Sequence, residues 1–361
     1  MTSPYPPATS AAARIHAHMH EALTRGHGST QQPSSLVPAE TLLVRTLEVA
    51  FWASLRREEG LAPTISLALI PADAGLAPLH LARPLALAPG PLAKLAPAVM
   101  RPGIHLGVWP GADGPEVWGT TMELPPLALV IEVVAPGLIV AKYRRDAEAA
   151  KYTNILVLEG DTVRVVDTTV SRRPECPRVV TSLFGFESAA SWVASTDVLM
   201  QVAVSMRAHG RGGALLVVPR DDDNWHTSVA TPMTYDVSPP YRSIRESTRS
   251  IAMLAGLTAV DGATVLTDEY ALLAFGVKLI RRKGWPAIER IVMTEPIEGQ
   301  VPVVLQPVQL GGTRHLSAAQ FVQDQRGAVA LVASQDGRFT VFSWSTSHNC
   351  VHAHRVEALL L

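Results

Sequence analysis

The five residues from Ala214 to Val218 carry no polar side chain. A strand this short and uniformly apolar has to be covered on both faces, which places it at the centre of a sheet flanked by helices. The surrounding pattern agrees. A helical segment from Glu187 to Met206 puts Trp192, Leu199, Val202, Ala203 and Met206 on one face and breaks at the glycines from Gly210 to Gly213. A second helix, about Ser243 to Gly256, feeds a second apolar strand, Ala263 to Leu266, and a last strand pair covers Ala328 to Ser334 and Phe339 to Trp344. Helix and strand alternate, so residues 178–361 are expected to form an α/β domain on a mixed central sheet flanked by helices, with active loops at strand ends.

Proline marks a different region upstream. Of the 28 prolines, 17 fall in residues 1–126 and 11 in residues 127–361, about 13 and 5 per hundred against an ordinary 5% or so. Residues 1–35 are rich in Ser, Thr, Pro, Ala and Gln and short of large apolar side chains, which predicts a disordered tail with a short helix around Ala11 to Thr24. His16, His18 and His20 alternate there. Alternate positions on a helix do not share a face, so a solvated tail is expected in preference to a metal site. A smaller α+β domain, residues 36–172, follows. It opens with a helix from Glu40 to Glu59 and continues into strands at Leu127 to Val134, Gly137 to Tyr143, Asn154 to Leu158 and Thr162 to Val166, the last two forming a hairpin about Gly160 and Asp161. Its isolated histidines, His80 and His105, are expected to be surface or satisfied core residues. The stretch from Ser171 to Pro177 has linker composition.

Charge and cysteine content narrow the function classes. With 31 basic residues against 32 acidic, a net of −1, no basic face is implied, which argues against nucleic acid as a partner. Two cysteines, Cys176 and Cys350, supply neither a disulfide framework nor a cysteine zinc site, so a cytoplasmic location is expected. The most apolar stretch, Leu124 to Ala141, is interrupted by Pro125, Pro126, Glu132 and Pro136, and the first 20 residues lack the apolar core of a secretory signal. No membrane association is expected.

Three segments set polar residues or glycines at the edges of apolar elements. Asp261-Gly262-Ala263 directly precedes a strand, where a carboxylate beside a glycine can hold a metal or a hydroxyl; Asp-Gly is also the commonest turn dipeptide. Gly311-Gly312-Thr313-Arg314-His315 precedes a helix whose apolar side is Ala318, Ala319, Phe321 and Val322. Free N–H groups, a hydroxyl and a guanidinium would converge there, as a polyphosphate requires, although a glycine turn with a capping hydroxyl and a surface arginine has the same composition. Ser334-Gln335-Asp336-Gly337 ends one strand and reads as a hairpin turn, with Ser334 the candidate ligand contact.

Taken together and in order, these segments resemble the diadenylate cyclase domain, the nucleotide-binding unit of bacterial and archaeal enzymes that make cyclic di-AMP. The resemblance runs from about Leu199 to Trp344 and rests on HGRGGALLVV (209–218), AGLTAVDGATVLT (255–267), AFGVKL (274–279), GTRHLSAAQFVQDQ (312–325) and ALVASQDGRFTVFS (330–343). It implies that two ATP molecules are condensed into cyclic di-AMP and two pyrophosphates. Asp261 would be the catalytic residue, lying beside the ribose 3′-hydroxyl and a divalent metal, Mg²⁺ or Mn²⁺, and helping to deprotonate the attacking oxygen, with Gly262 and Ala263 close to the nucleotide. Gly312, Thr313, Arg314 and His315 would bind the triphosphate, and Ser334 would reach phosphate. One ATP per domain and two reciprocal linkages imply a face-to-face homodimer or a higher homo-oligomer. More loosely, the first region resembles the sensor domains that precede some cyclase domains.

Two departures qualify the resemblance. Leu316 stands where family members commonly carry a second arginine, which leaves open a degenerate cyclase-like domain that senses ATP or a cyclic nucleotide without turnover. The interval from Asp261 to Thr313 is long; its stretch from Arg281 to Gln309 is expected to be a solvated loop in preference to a lid or an oligomer contact. The run Asp221 to Asp223 is likewise expected to be a solvated acidic loop.

Overall fold

The computed structural model describes residues 4–25, 37–58, 60–75, 78–143, 152–167, 169 and 193–361. Two compact units are present, Met1–Val166 with Leu361, and Asp167–Leu360. Trp192 and the linker from Ser171 to Pro177 lie outside the described residues. Among the described residues, no helix is long and apolar enough to cross a membrane.

The first unit is built on an eight-stranded mixed sheet: β1 (Ile65–Leu69), β2 (Leu79–Ala86), β3 (His105–Gly111), β4 (Gly114–Thr121), β5 (Leu129–Ala135), β6 (Leu138–Tyr143), β7 (Thr153–Glu159) and β8 (Thr162–Val165), in the spatial order 2-4-3-1-5-6-7-8. The expected hairpin between β7 and β8 is present, antiparallel, with Glu159 opposite Thr162. Because side chains alternate along a strand, Ile65, Leu67 and Leu69 of β1 join the main core while Ala68 packs with Trp118 and Val130 in a smaller cluster. His80 is exposed. His105 is a satisfied core histidine, with Ser66 Oγ 2.7 Å from its Nδ1 and Tyr152 Oη 3.3 Å from its Nε2.

The expected tail is corrected here. Pro6–Arg25 forms a 20-residue helix, α1, that packs on α2 (Glu40–Ser54) and on β7 and β8. Ala8, Ala11, Ala12, Ile15 and Met19 are buried, a stripe at the three-and-four spacing of a helix face. Tyr5 anchors its start, stacking on Phe51 at a 3.8 Å centroid distance and donating its hydroxyl hydrogen to the Gly160 carbonyl. Composition hid this element because alanines contribute little apolar area each, yet their small faces let two helices approach closely. α2 also ends earlier than expected, at Ser54, whose hydroxyl donates back to the Phe51 carbonyl at 2.6 Å. A short helix, α3 (Pro89–Leu95), completes the layer.

In the second unit a nine-stranded mixed sheet runs 10-12-11-9-15-16-17-13-14. Its strands are β9 (Gly213–Val218), β10 (Tyr235–Tyr241), β11 (Ala263–Thr267), β12 (Leu272–Val277), β13 (Ile291–Thr294), β14 (Val303–Leu305), β15 (Val329–Ala333), β16 (Phe339–Ser345) and β17 (Cys350–Arg355). The apolar run beginning at Ala214 is indeed central: every residue of β9 is buried, between parallel β11 and antiparallel β15. Among the described residues, three α-helices flank the sheet, α4 (Val193–Ala208), α5 (Thr248–Thr258) and α6 (Thr313–Asp324). α6 buries Ala318, Phe321 and Val322 against Leu216, Val218 and Phe342. The expected helix from Ser243 starts later, because Ser247 caps α5 by accepting the Ser250 N–H at 3.1 Å.

The stretch from Arg281 to Gln309 is not the expected loop. It contributes β13 and β14, with β13 parallel to β17 and antiparallel to β14. Four prolines and strands of only three and four residues erased the alternation that would have shown it. α6 ties this stretch down: Ile288 N–H donates to Gln320 Oε1 at 2.8 Å and Arg282 N–H to Asp324 Oδ2 at 2.7 Å.

Two tests follow from this packing. Ile15→Ala should lower the unfolding free energy by about 2–4 kcal/mol in denaturant titrations, whereas a change in a solvated tail would cost about 0.5 kcal/mol or less. His354, on β17, is pushed down to about 3 by burial and then by His352, and its Nδ1 lies 2.8 Å from Thr294 Oγ1. Between that value and the ordinary histidine range of about 6.5 the unfolded chain binds the extra proton. Stability from neutral His354 is therefore complete above that range and declines as pH falls. The urea midpoint should drop between pH 7 and 4, and His354→Gln should flatten the drop; an unchanged slope would refute the assignment.

Candidate active site

The pairing around β9 brings four chain segments to one edge of the sheet. β9 and β11 are parallel, so Gly212 and Asp261 enter from the same side. β15 runs the other way, with Ala333 opposite Gly213, so its end at Ser334 arrives there too. The start of α6 completes the group. Asp261, Gly312, Thr313, Arg314, His315 and Ser334 line one cleft of about 610 Å³, together with Gln335, Asp336 and Arg338. Thus six of the expected site residues, drawn from three sequence segments, share a wall.

Gly262 and Ala263 do not line this cleft. Their role is to place Asp261. Gly262 has φ +116°, and a Cβ on it would lie 2.5 Å from the Gly276 carbonyl carbon and 2.7 Å from the Val277 oxygen, distances only a glycine tolerates. Ala263 is buried as the first residue of β11, opposite Val277. Asp261 therefore leaves the sheet at a fixed point, with its carboxylate exposed and ion-paired to Lys278 Nζ. The hydrogen bond and charge of Lys278, then the charge of Arg314, hold this carboxyl below the usual aspartate range. It is an anion throughout the neutral range.

Gly312 is the N-cap of α6 and no side chain caps the helix. The first-turn N–H groups and the positive end of the helix dipole face the cleft beside the Thr313 hydroxyl, the arrangement that suits an anion. Arg314 is half-buried and makes no hydrogen bond or ion pair to a described residue. Its guanidinium passes over Gly212, where an added Cβ would lie 3.1 Å from Nη1. His315 is buried, its ring edge-on to Phe342 at 6.1 Å. Burial, reinforced by Arg355 and Arg338 and opposed by Asp336, holds it below the ordinary histidine range. Arg314 and Arg338 therefore carry the positive charge of this wall, and Arg338 is paired with Asp336.

Both features of the segment after β15 are present. Asp336 and Gly337 form the hairpin turn, with Gly337 at φ +85° and the Ser334 N–H donating to the Arg338 carbonyl at 2.9 Å. Ser334 also faces the cleft, its hydroxyl donating to Asp336, which in turn pairs with Arg338 at 3.4 Å. That hydrogen bond lowers the Asp336 carboxyl. Leu316 is exposed and is not among the lining residues.

Two further residues belong to the site. Lys278, in the AFGVKL segment, directly follows β12; the pairing of Val277 with Ala263 brings it beside Gly262, from where its ammonium reaches the Asp261 carboxylate. Gly212, with φ +70°, makes room for Arg314, and its signal was the glycine run before β9. The acidic run Asp221 to Asp223 is at the other end of β9, in a separate cleft of about 320 Å³ with Arg220 and Glu269. Asp222 caps a short turn there by accepting the Asn224 N–H at 2.9 Å. Among the described residues, no group of three or more His, Cys, Asp or Glu side chains could hold a metal.

The chain resembles known proteins in part. No curated protein matches it. Solved structures similar to parts of it include a hypothetical membrane spanning protein from Bacillus cereus, at 14% identity and a TM-score of 0.28, over 44% of this chain and 62% of that one. The chain thus spans less than two thirds of that protein. A double mutant of DacA from Staphylococcus aureus is similar at 14% identity and a TM-score of 0.24, over 40% of this chain and 78% of that one. Residues 32–122, within the first unit, match a family model described as "Probable sensor domain DACNV".

Proposed function

We propose that the second unit is a diadenylate cyclase, which joins two ATP molecules into cyclic di-AMP, and that the first unit is a sensor domain regulating it. The observation that carries this is the convergence of Asp261, the Gly312 to His315 helix start and Ser334 on one cleft wall. The convergence fits the roles the resemblance gives these residues, and the sensor-family match of residues 32–122 fits the role given to the first unit.

In this reading the triphosphate lies against the uncapped N-terminus of α6. The helix N–H groups and the Thr313 hydroxyl bind phosphoryl oxygens, while Arg314 neutralises charge that grows on the α-phosphoryl group and the departing pyrophosphate. Neutral His315 donates one hydrogen bond. Asp261 accepts a hydrogen bond from the ribose 3′-hydroxyl and orients it. Each 3′-hydroxyl gives its proton to the Asp261 carboxylate, which passes it on to solvent, as the oxygen bonds to the α-phosphorus of the facing ATP, and the bond from that phosphorus to one pyrophosphate breaks in the same displacement. Two such bonds need two copies of the cleft facing each other, so turnover requires a homodimer about a twofold axis.

Mg²⁺ or Mn²⁺ would be held by Asp261 together with the nucleotide's own phosphates. A single exposed carboxylate beside a phosphate-binding helix end fits this, since Mg²⁺ is commonly held by one or two carboxylates plus phosphates and water. When bound, such an ion acts as a Lewis acid on the phosphoryl oxygens. Lys278, paired with Asp261, would share that carboxylate with the ion or give it up.

A second reading, a nucleotide sensor without turnover, is favoured by Leu316. Incubating the full chain with ATP and Mg²⁺ or Mn²⁺ and looking for cyclic di-AMP by mass spectrometry separates the two. Product is expected from the unaltered chain and none from Asp261→Asn; tight ATP binding without product under either metal would favour the sensor. Arg314→Ala should weaken ATP binding by roughly 10- to 100-fold in calorimetry, the value of a charged hydrogen bond, and an unchanged affinity would contradict the triphosphate placement.

A further inference from the structure

We propose that the first unit carries a binding site for a borderline divalent transition metal, with Zn²⁺ the best fit, formed by His16 and His20 on the outer face of α1. The alternation of His16, His18 and His20 is not the relevant spacing. His18 turns away, its ring edge-on to Tyr143 at 5.7 Å. His16 and His20 are one helical turn apart and lie side by side, with ring centroids 4.5 Å apart and Nε2 atoms 3.3 Å apart.

That separation matches a chelate. A tetrahedral Zn²⁺ with Zn–N bonds of about 2.0–2.1 Å holds two ligand nitrogens about 3.3 Å apart. A square-planar ion would draw them to about 2.9 Å, so Cu²⁺ needs a small ring rotation that Zn²⁺ does not. The backbone under the pair is already ordered, because Ile15 and Met19, each the residue before one of the histidines and so on the adjoining helix face, are buried in the core of the unit. Ring nitrogens that now share one long hydrogen bond give up little when a metal replaces it. His16 is half-buried and His20 exposed, which leaves the Nε2 atoms open to entry from solvent. Two protein ligands leave coordination positions for water or an added donor, the pattern of an exchangeable site and not of a closed structural one. Imidazole pairs select this class of metal over Mg²⁺ and Mn²⁺, so the site is distinct in chemistry from the candidate active site.

The test is a Zn²⁺ titration of the full chain against a chromophoric chelator. One equivalent is expected, and His16→Ala or His20→Ala should weaken it on the order of tenfold or more, because each removes one arm of the chelate. The double variant should lose it, while His18→Ala and Asp261→Asn should retain it. Circular dichroism of the variants checks that α1 remains folded. Retention of the same equivalent by the folded double variant, or no uptake by the unaltered chain, overturns the site. The cyclase assay has no bearing on this outcome, so the two proposals fail separately.

Discussion

The second unit depends on the burial of β9. A strand with no polar side chain needs cover on both faces and partners on both edges, and β9 obtains the partners in opposite senses, parallel from β11 and antiparallel from β15. Those senses decide where chain ends emerge. Two strand starts and one strand finish meet at the same sheet edge, and α6 starts there because its apolar side covers the face that Leu216 and Val218 present. The cleft is thus a product of core packing. Its polar residues are carried by elements whose other residues are buried.

Charge at the cleft is distributed by the same logic. Asp261 is exposed and held as an anion by Lys278 and Arg314, while His315 is buried in the cleft wall and held below the ordinary histidine range. One wall therefore presents the Asp261 carboxylate and the Arg314 guanidinium, which among the described residues makes no hydrogen bond or ion pair, together with the paired Asp336 and Arg338. Arg314 and the uncapped helix end are the parts of the wall whose charge suits an anion. At Asp261 the Lys278 ammonium already offsets the carboxylate's charge.

Much of this was legible in the sequence, and the failures share a cause. The central strand, the start of α6 and the hairpin after β15 were readable because each is marked by a run of one residue class ended by glycine or a polar pair. The six cleft-lining residues were readable for the same reason. Elements whose signal is diluted were not. α1 hides its stripe in alanines, β13 and β14 are short and set among prolines, and β17 alternates histidines with small residues. Lys278 acquires meaning only from the pairing of β11 with β12, which no local pattern specifies, and the glycine run that holds Gly212 does not say that Arg314 passes over it. Gly262 was expected near a ligand, yet its steric need is met by the β12 backbone; the same glycine satisfies either demand, and sequence alone does not separate them.

The strand order of the first unit has a consequence for what counts as a module. The segment similar to the sensor family, residues 32–122, ends just after β4. β1, however, is hydrogen-bonded along its whole length to β5, with Ile65 opposite Val133 and Leu69 opposite Leu129, and the helix layer over the sheet includes α1, which precedes the segment. Cut at those limits, the piece would keep four strands, expose the full edge of its most buried strand, and lose part of its roof. The unit that is recognisable by likeness is smaller than the unit that can fold.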